Sequence, residues 1–247
     1  MEPSSTGPGA GSLERLLDQL GLSPRRVTAV LFVCCGVLTA LGAVAEWFAA
    51  EDRWKYLLFD LNNEANVPTW YSAGQLCVAA LLAWACGSLG QARGLPGRRS
   101  WSVVAAALLF VSVDEVAQIH EQVSYYVRRD LHTGGPEWWA WVLPYGAATA
   151  VLAVVLFRWW RSLPPITRRR LTIGATVFVV GAAGLEVAEA AAEAVLDGDA
   201  VVRALTVVEE AMEMYAVAYV IGVLLAHLCL IDATADPVSD ARATGTA

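Results

Sequence analysis

Residues 101–126, WSVVAAALLFVSVDEVAQIHEQVSYY, begin as an apolar helix and end with acidic and histidine side chains. The first half is as hydrophobic as a membrane span, whereas the second half carries Asp114, Glu115, His120 and Glu121. An ionised side chain near the centre of a bilayer costs about 2.5–3.5 kcal/mol even on the gentlest scale, so such residues are rare and usually functional. The stretch therefore predicts a membrane helix with a polar site at one end.

The chain as a whole is unusually apolar. Of its 247 residues, 57% are hydrophobic and only 17% are charged, and the mean hydropathy is +0.50. A soluble domain is about half apolar, so this composition favours an integral membrane protein. The net charge of −7 argues against nucleic-acid binding. Abundant alanine, valine and arginine beside a single lysine are typical of a bacterial protein with a GC-rich genome.

The apolar residues fall into six long runs. An apolar helix needs about 20 residues to cross the hydrocarbon core of a bilayer. The expected fold is therefore an all-α, polytopic membrane bundle of six transmembrane helices within residues 27–231. The predicted spans are Val27–Ala49, Thr69–Leu89, Trp101 to about Tyr125, Trp138–Trp160, Leu171–Ala194 and about Val202 to Ile231.

The two ends of the chain are polar. Residues 1–26 predict a disordered tail followed by a short amphipathic helix on the membrane surface, because leucines recur there at helical spacing. These leucines are Leu13, Leu16, Leu17 and Leu20. Residues 232–247 are small and polar, which predicts a disordered C-terminal tail.

Arginine placement predicts the orientation of the bundle. Arginines concentrate before the first span and in the second and fourth connections, so the positive-inside rule puts both termini in the cytoplasm and the protein in the plasma membrane. A cleaved signal peptide is the alternative, since Arg25 and Arg26 precede an apolar run that ends in Ala43-Val44-Ala45. That leader would be unusually long, which favours an uncleaved anchor.

Spans three, five and six each carry acidic residues near their predicted extracytoplasmic ends. With a rise of about 1.5 Å per residue, these residues fall in one layer in the outer half of the bilayer. We expect no lysine or arginine in that layer, so several carboxyl groups must be protonated or must share a cation. The candidate metal ligands are Asp114, Glu115, His120, Glu121, Glu186, Glu189, Glu209, Glu210 and Glu213.

Helical spacing divides these candidates into faces. Asp114, Gln118 and Glu121 fall on one stripe of a regular helix, whereas His120 points well away from Asp114. On such a helix Asp114 and His120 would not bind one ion without a local distortion. On the fifth span Glu186 and Glu189 share a face at i, i+3 spacing.

Proline and glycine predict two further features of the helices. Pro144 removes a hydrogen bond from the fourth span, so a kink that frees the carbonyl of Ala140 is expected. Gly174, Gly181 and Gly184 on the fifth span favour close packing against another helix.

The connection before the second span is rich in oxygen donors. Its sequence FDLNNEANVPTW covers residues 59–70, where Pro68 and Thr69 are expected to begin the helix. The alternating polar side chains predict a lid over the carboxylates; an ordinary Asn-rich turn and a poorly matching EF-hand loop are the alternatives. The possible lid residues are Asp60, Asn62, Glu64 and Asn66.

Three functions are compatible with the candidate site. Carboxylates with one histidine suit a divalent Mn, Fe, Mg or Ca ion, which favours a metal-dependent membrane enzyme acting on a lipid-like or small substrate. A proton- or cation-coupled small transporter also uses carboxyl groups at this depth. The third function is a non-catalytic membrane scaffold or partner subunit. Membrane lipids are the expected partners, with a homo-oligomer or a separate membrane partner left open; the pattern assigns no catalytic residue.

Overall fold

The computed structural model describes residues 11–48, 57–61, 63, 65–131, 138–195 and 199–234. All regular structure in these residues is helical. A short 3₁₀ helix, Trp138–Trp141, precedes α6, and a π-helical turn, Val180–Leu185, joins α7 to α8. The α-helices are α1 (Ser12–Gln19), α2 (Pro24–Phe48), α3 (Val67–Ala92), α4 (Arg98–Ala117), α5 (Ile119–Leu131), α6 (Val142–Ser162), α7 (Pro165–Val179), α8 (Glu186–Val195) and α9 (Asp199–Ala233).

Within the described residues, six helices are long and apolar enough to cross a membrane, as the sequence predicts. Five of them are α2, α3, α4, α6 and α9, and the remaining one runs from Pro165 through the π-helical turn to Glu193. The predicted amphipathic helix is present as α1; its position on a membrane surface stays a prediction.

Helix α9 is the centre of the bundle. It packs against α2, α3 and α7, and 67% of its most apolar window is buried, whereas none of the corresponding window of α6 is. Met214, Ala218, Ile221 and Leu224 recur at helical spacing and are almost inaccessible, which places this face of α9 in the core. Helix α6 is peripheral and contacts the core through Trp159.

Two glycines let the fifth apolar helix lie close to α9. A Cβ added to Gly174 would lie 2.5 Å from Cγ2 of Val220, and one added to Gly181 would lie 3.2 Å from Cβ of Met212. A Cβ added to Gly184 would meet only its own helix, at Val180. The prediction of close helix packing is therefore confirmed for Gly174 and Gly181 and is wrong for Gly184.

At one end of the bundle a single carboxylate connects three helices. Asp232, near the end of α9, accepts hydrogen bonds from Ser12 Oγ at 3.0 Å and from the Leu13 backbone N–H at 2.7 Å. Its other oxygen pairs with Arg93 of α3 at 2.9 Å. Because Arg25, Arg98 and Arg170 belong to helix termini at this end, we call it the arginine end and the opposite one the carboxylate end.

Three predictions about the course of the helices are wrong. The third span is not one helix to Tyr125, because α4 ends at Ala117 and Gln118 adopts a left-handed conformation (φ 55°). Pro144 does not kink a helix, because α6 begins at Val142 and a first-turn proline displaces no helical hydrogen bond. Helix α9 continues through Ala233, so a disordered tail cannot begin at residue 232.

The glycine contacts yield a stability prediction. Gly174→Ala should lower the free energy of unfolding by about 1–3 kcal/mol, because the new methyl group overlaps the stiff side chain of Val220. Gly146→Ala is the matched control, since an added Cβ there meets nothing within 4 Å and alanine has the higher helix propensity. Thermal unfolding in detergent should therefore show a lower midpoint for Gly174→Ala only. Equal midpoints would contradict the close approach.

Candidate carboxylate site

Three glutamates from two helices meet at the carboxylate end. Glu186 and Glu189 lie in the first turn of α8, and Glu209 faces them from α9. One carboxylate oxygen of each lies within 4.8 Å of the others, and all three side chains are half-buried. We call Glu186, Glu189 and Glu209 the carboxylate trio.

The hydrogen bonds of the trio are incomplete. Glu189 lies beside Thr206 and Glu209, both on α9. The Thr206 hydroxyl donates its hydrogen bond to the Val202 carbonyl at 3.2 Å and not to a carboxylate. Among the described residues, Oε1 of Glu189 is buried without any hydrogen-bond partner. A buried acceptor without a donor is costly, so a proton, a cation or a bound water at this oxygen would stabilise the fold.

The π-helical turn places the trio. It spans Val180–Leu185, ends directly before Glu186, and lets Gly181 lie against α9 next to Glu213. A π turn holds one more residue than an α turn, so it changes the face that all later residues present. The glutamates at the start of α8 thereby face Glu209 across a short gap.

A break in the third apolar helix forms a second polar cluster. Because Gln118 is left-handed, the helix is interrupted after Ala117, and the His120 backbone N–H donates to Oδ1 of Asp114 at 2.9 Å. The His120 Nδ1 atom lies 3.4 Å from Oδ2 of the same carboxylate. On a regular helix these side chains would point apart, so the prediction that Asp114, Gln118 and Glu121 form one stripe is wrong.

Two aromatic side chains connect the Asp114–His120 pair to the trio. Tyr145 on α6 donates its hydroxyl to Oδ1 of Asp114 at 3.1 Å. Trp141 packs its ring edge-on against His120, with centroids 5.5 Å apart, and its indole lies near the Glu186 carboxylate. The Trp141 backbone N–H in turn donates to Ser124 Oγ on α5 at 3.2 Å.

Sequence reasoning missed Tyr145, Trp141 and Thr206. Trp141 reads as a membrane-interface residue, and Tyr145 follows a proline within an apolar run, so neither position carries a local polar signal. Thr206 lies three residues before Glu209, which is the spacing of one helix face, and that spacing could have identified it.

The other predicted acids lie around the trio. Glu213 on α9 is close enough to Glu115, Glu209 and Glu210 for their charges to interact. Glu121 is exposed in the first turn of α5, and its charge acts on Glu186. These acids therefore form a cluster with the trio at the carboxylate end, and their position in the outer half of a bilayer stays a prediction.

The predicted lid is only partly described. Asn62 and Glu64 lie outside the described residues. Asn66 is the N-cap of α3: its Oδ1 accepts from the Thr69 backbone N–H at 3.0 Å, and its amide donates to the Asp60 carbonyl at 2.6 Å. Helix α3 begins around Pro68 and Thr69 as predicted, and the lid role stays a prediction.

These features define an all-helical protein with six membrane-length helices and a carboxylate cluster. Residues 29–228 match the family described as "Domain of unknown function (DUF8692)", so the chain belongs to that family. The matched region contains every residue of the trio and of the Asp114–His120 pair. Comparisons with curated proteins and with solved structures gave no match.

The Asp114 cluster yields a prediction. Asp114→Ala should lower the free energy of unfolding by about 1–3 kcal/mol, because the His120 N–H and the Tyr145 hydroxyl lose a buried acceptor. Glu121→Ala is the control, since Glu121 is an exposed acid of the same region. Thermal unfolding in detergent distinguishes the two variants. If Asp114→Ala has the same unfolding midpoint as the wild type, the hydrogen bonds to Asp114 do not contribute to stability.

Proposed function

We propose that the protein is a multi-pass plasma-membrane protein whose carboxylate trio binds a divalent cation. The six long apolar helices support membrane insertion. The arginine clusters support an orientation with both termini in the cytoplasm, because they lie at the opposite end from the acids. In this orientation the trio faces the extracytoplasmic side.

The spacing of the trio carries the proposal. Two oxygens that bind one ion are at most about 5 Å apart for Ca²⁺ and about 4 Å apart for Mg²⁺. The three carboxylates of Glu186, Glu189 and Glu209 lie within 4.8 Å, which meets the limit for Ca²⁺, and a small approach of the side chains would meet that for Mg²⁺. The unpartnered Oε1 of Glu189 supports the same ligand, since a cation would complete its interactions.

Charge favours a divalent ion. Three ionised carboxylates repel one another strongly in an apolar bundle, and two positive charges offset most of that repulsion. All-oxygen ligands suit Mg, Ca and Mn, while the nearby His120 imidazole also suits Fe. Glu115, Glu210 and Glu213 extend the negative surroundings of the ion.

The surroundings of the trio favour an enzyme that acts on a lipid-like or small substrate. A bound divalent cation would supply a Lewis acid that acidifies a water or polarises a substrate oxygen. His120, held by Asp114 and close enough to Glu186 to act on its charge, can accept a proton there. An apolar groove of about 450 Å³ between α3 and α4 ends at Ala117, beside this cluster, and suits an acyl chain.

Metal content tests the proposal. Detergent-purified protein, prepared without chelator, should contain about one equivalent of a divalent metal by elemental analysis. Glu189→Gln and Glu209→Gln should each lose it, because each removes one negative charge and replaces a carboxylate with a weaker amide ligand. Glu193→Gln is the matched control: Glu193 lies on the same helix as Glu189, one turn on, and is exposed. A metal-free wild type, or equal metal in all variants, would overturn the proposal.

Proton binding by the trio is the second candidate, and it is supported by the close approach of the three carboxyl groups, within 4.8 Å. A proton on one of them would relieve the repulsion, as in a proton-coupled transporter. Proteoliposomes with an internal pH dye should then show acid-driven flux that Glu209→Gln abolishes and Glu193→Gln retains. A protein with neither metal nor flux would be a scaffold or partner subunit.

A further inference from the structure

A large cavity lies at the arginine end, far from the trio. Its volume is about 990 Å³, within the range that binds small molecules. Helices α1, α2, α7 and α9 all contribute to its walls.

The cavity contains side chains of both charges. Arg25 and Arg26 reach it from the first turn of α2, and Arg170 reaches it from α7. Glu14 and Asp18, one turn apart on α1, face it from the other side. In the part of the chain that the structure describes, no ion pair joins these arginines to these acids. Both signs therefore remain available to one ligand.

Part of the remaining wall is apolar, because Val223, Ala226 and Leu230 of α9 line the cavity. Arg26 lies at the edge of the cavity, and an exposed apolar stripe at helical spacing follows it along the same side of α2. This stripe consists of Val30, Val33, Val37, Leu41 and Val44.

We propose that this cavity binds a phospholipid with a primary ammonium headgroup, such as phosphatidylethanolamine. Arg25, Arg26 and Arg170 bind the phosphate, because guanidinium groups form forked hydrogen bonds with its oxygens. Glu14 and Asp18 accept hydrogen bonds from the ammonium group. The acyl chains follow the apolar stripe of α2. The proposal rests on the membrane insertion proposed above and not on the metal site.

The headgroup chemistry follows from the charges. A purely anionic headgroup would bind the arginines but would meet repulsion from the two carboxylates. A choline headgroup carries a cation without N–H donors, so it cannot form the hydrogen bonds to Glu14 and Asp18. An ethanolamine headgroup has the phosphate and the donors together.

Lipid titration monitored by native mass spectrometry tests the assignment. Phosphatidylethanolamine should bind at least about tenfold more tightly than phosphatidylcholine or phosphatidylglycerol with the same acyl chains, the effect of one charge-assisted hydrogen bond. The double variant Glu14→Gln/Asp18→Asn should lose the preference for ethanolamine over choline. Arg170→Gln should weaken the binding of all three lipids.

The controls separate this site from general lipid contact. Arg169→Gln is matched to Arg170→Gln, because Arg169 is the neighbouring residue, is exposed, and does not line the cavity. It should bind phosphatidylethanolamine like the wild type. Equal binding of the three lipids, equal effects of the two arginine variants, or inorganic phosphate binding as tightly as the lipid would overturn the proposal. Metal content reports on the trio separately, so failure of one proposal leaves the other intact.

Discussion

Repulsion among carboxylates is the constraint on which the carboxylate end depends. Glu186, Glu189 and Glu209 lie within 4.8 Å of one another in a half-buried position, where water screens their charges poorly. A fold that brings them together must supply a proton or a cation, since the cost of three ionised groups would otherwise open the helices. The buried Glu189 oxygen without a hydrogen-bond partner reflects this requirement.

Two departures from regular helix geometry arrange the site. The π-helical turn at Val180–Leu185 sets the face on which Glu186 and Glu189 lie. The left-handed conformation of Gln118 interrupts the helix, so that the His120 backbone N–H donates to Asp114. Both lie within or directly after apolar helices. Irregular backbone is tolerated there only if its N–H and C=O groups find other hydrogen-bond partners. Helix irregularities of this kind are frequent at functional sites, which agrees with the role proposed for the cluster.

The two ends of the bundle are chemically distinct. At the arginine end, Asp232 joins α1, α3 and α9 through hydrogen bonds and an ion pair with Arg93, so its charge is fully compensated. At the carboxylate end, the trio has no such cation among the contacts that the structure describes. The cavity between Arg170 and Glu14 lies at the arginine end and suits a phospholipid headgroup. The trio at the opposite end suits a metal ion. Function is therefore proposed at both membrane interfaces, by different chemistry.

Much of this protein is determined by its sequence alone. Long apolar runs specify six membrane-length helices, because each run buries its backbone polar groups in its own hydrogen bonds. The same runs show which helices carry acids, so the set that contains Glu186, Glu189 and Glu209 was predictable. Only the tertiary structure decides which of those acids meet, because that depends on the break at Gln118, on the π-helical turn and on the close approach at Gly181. The π-helical turn packs against α9, and the break at Gln118 is stabilised by the hydrogen bond of Asp114 to the His120 N–H. A helical wheel assumes a regular helix, so it predicts neither of them.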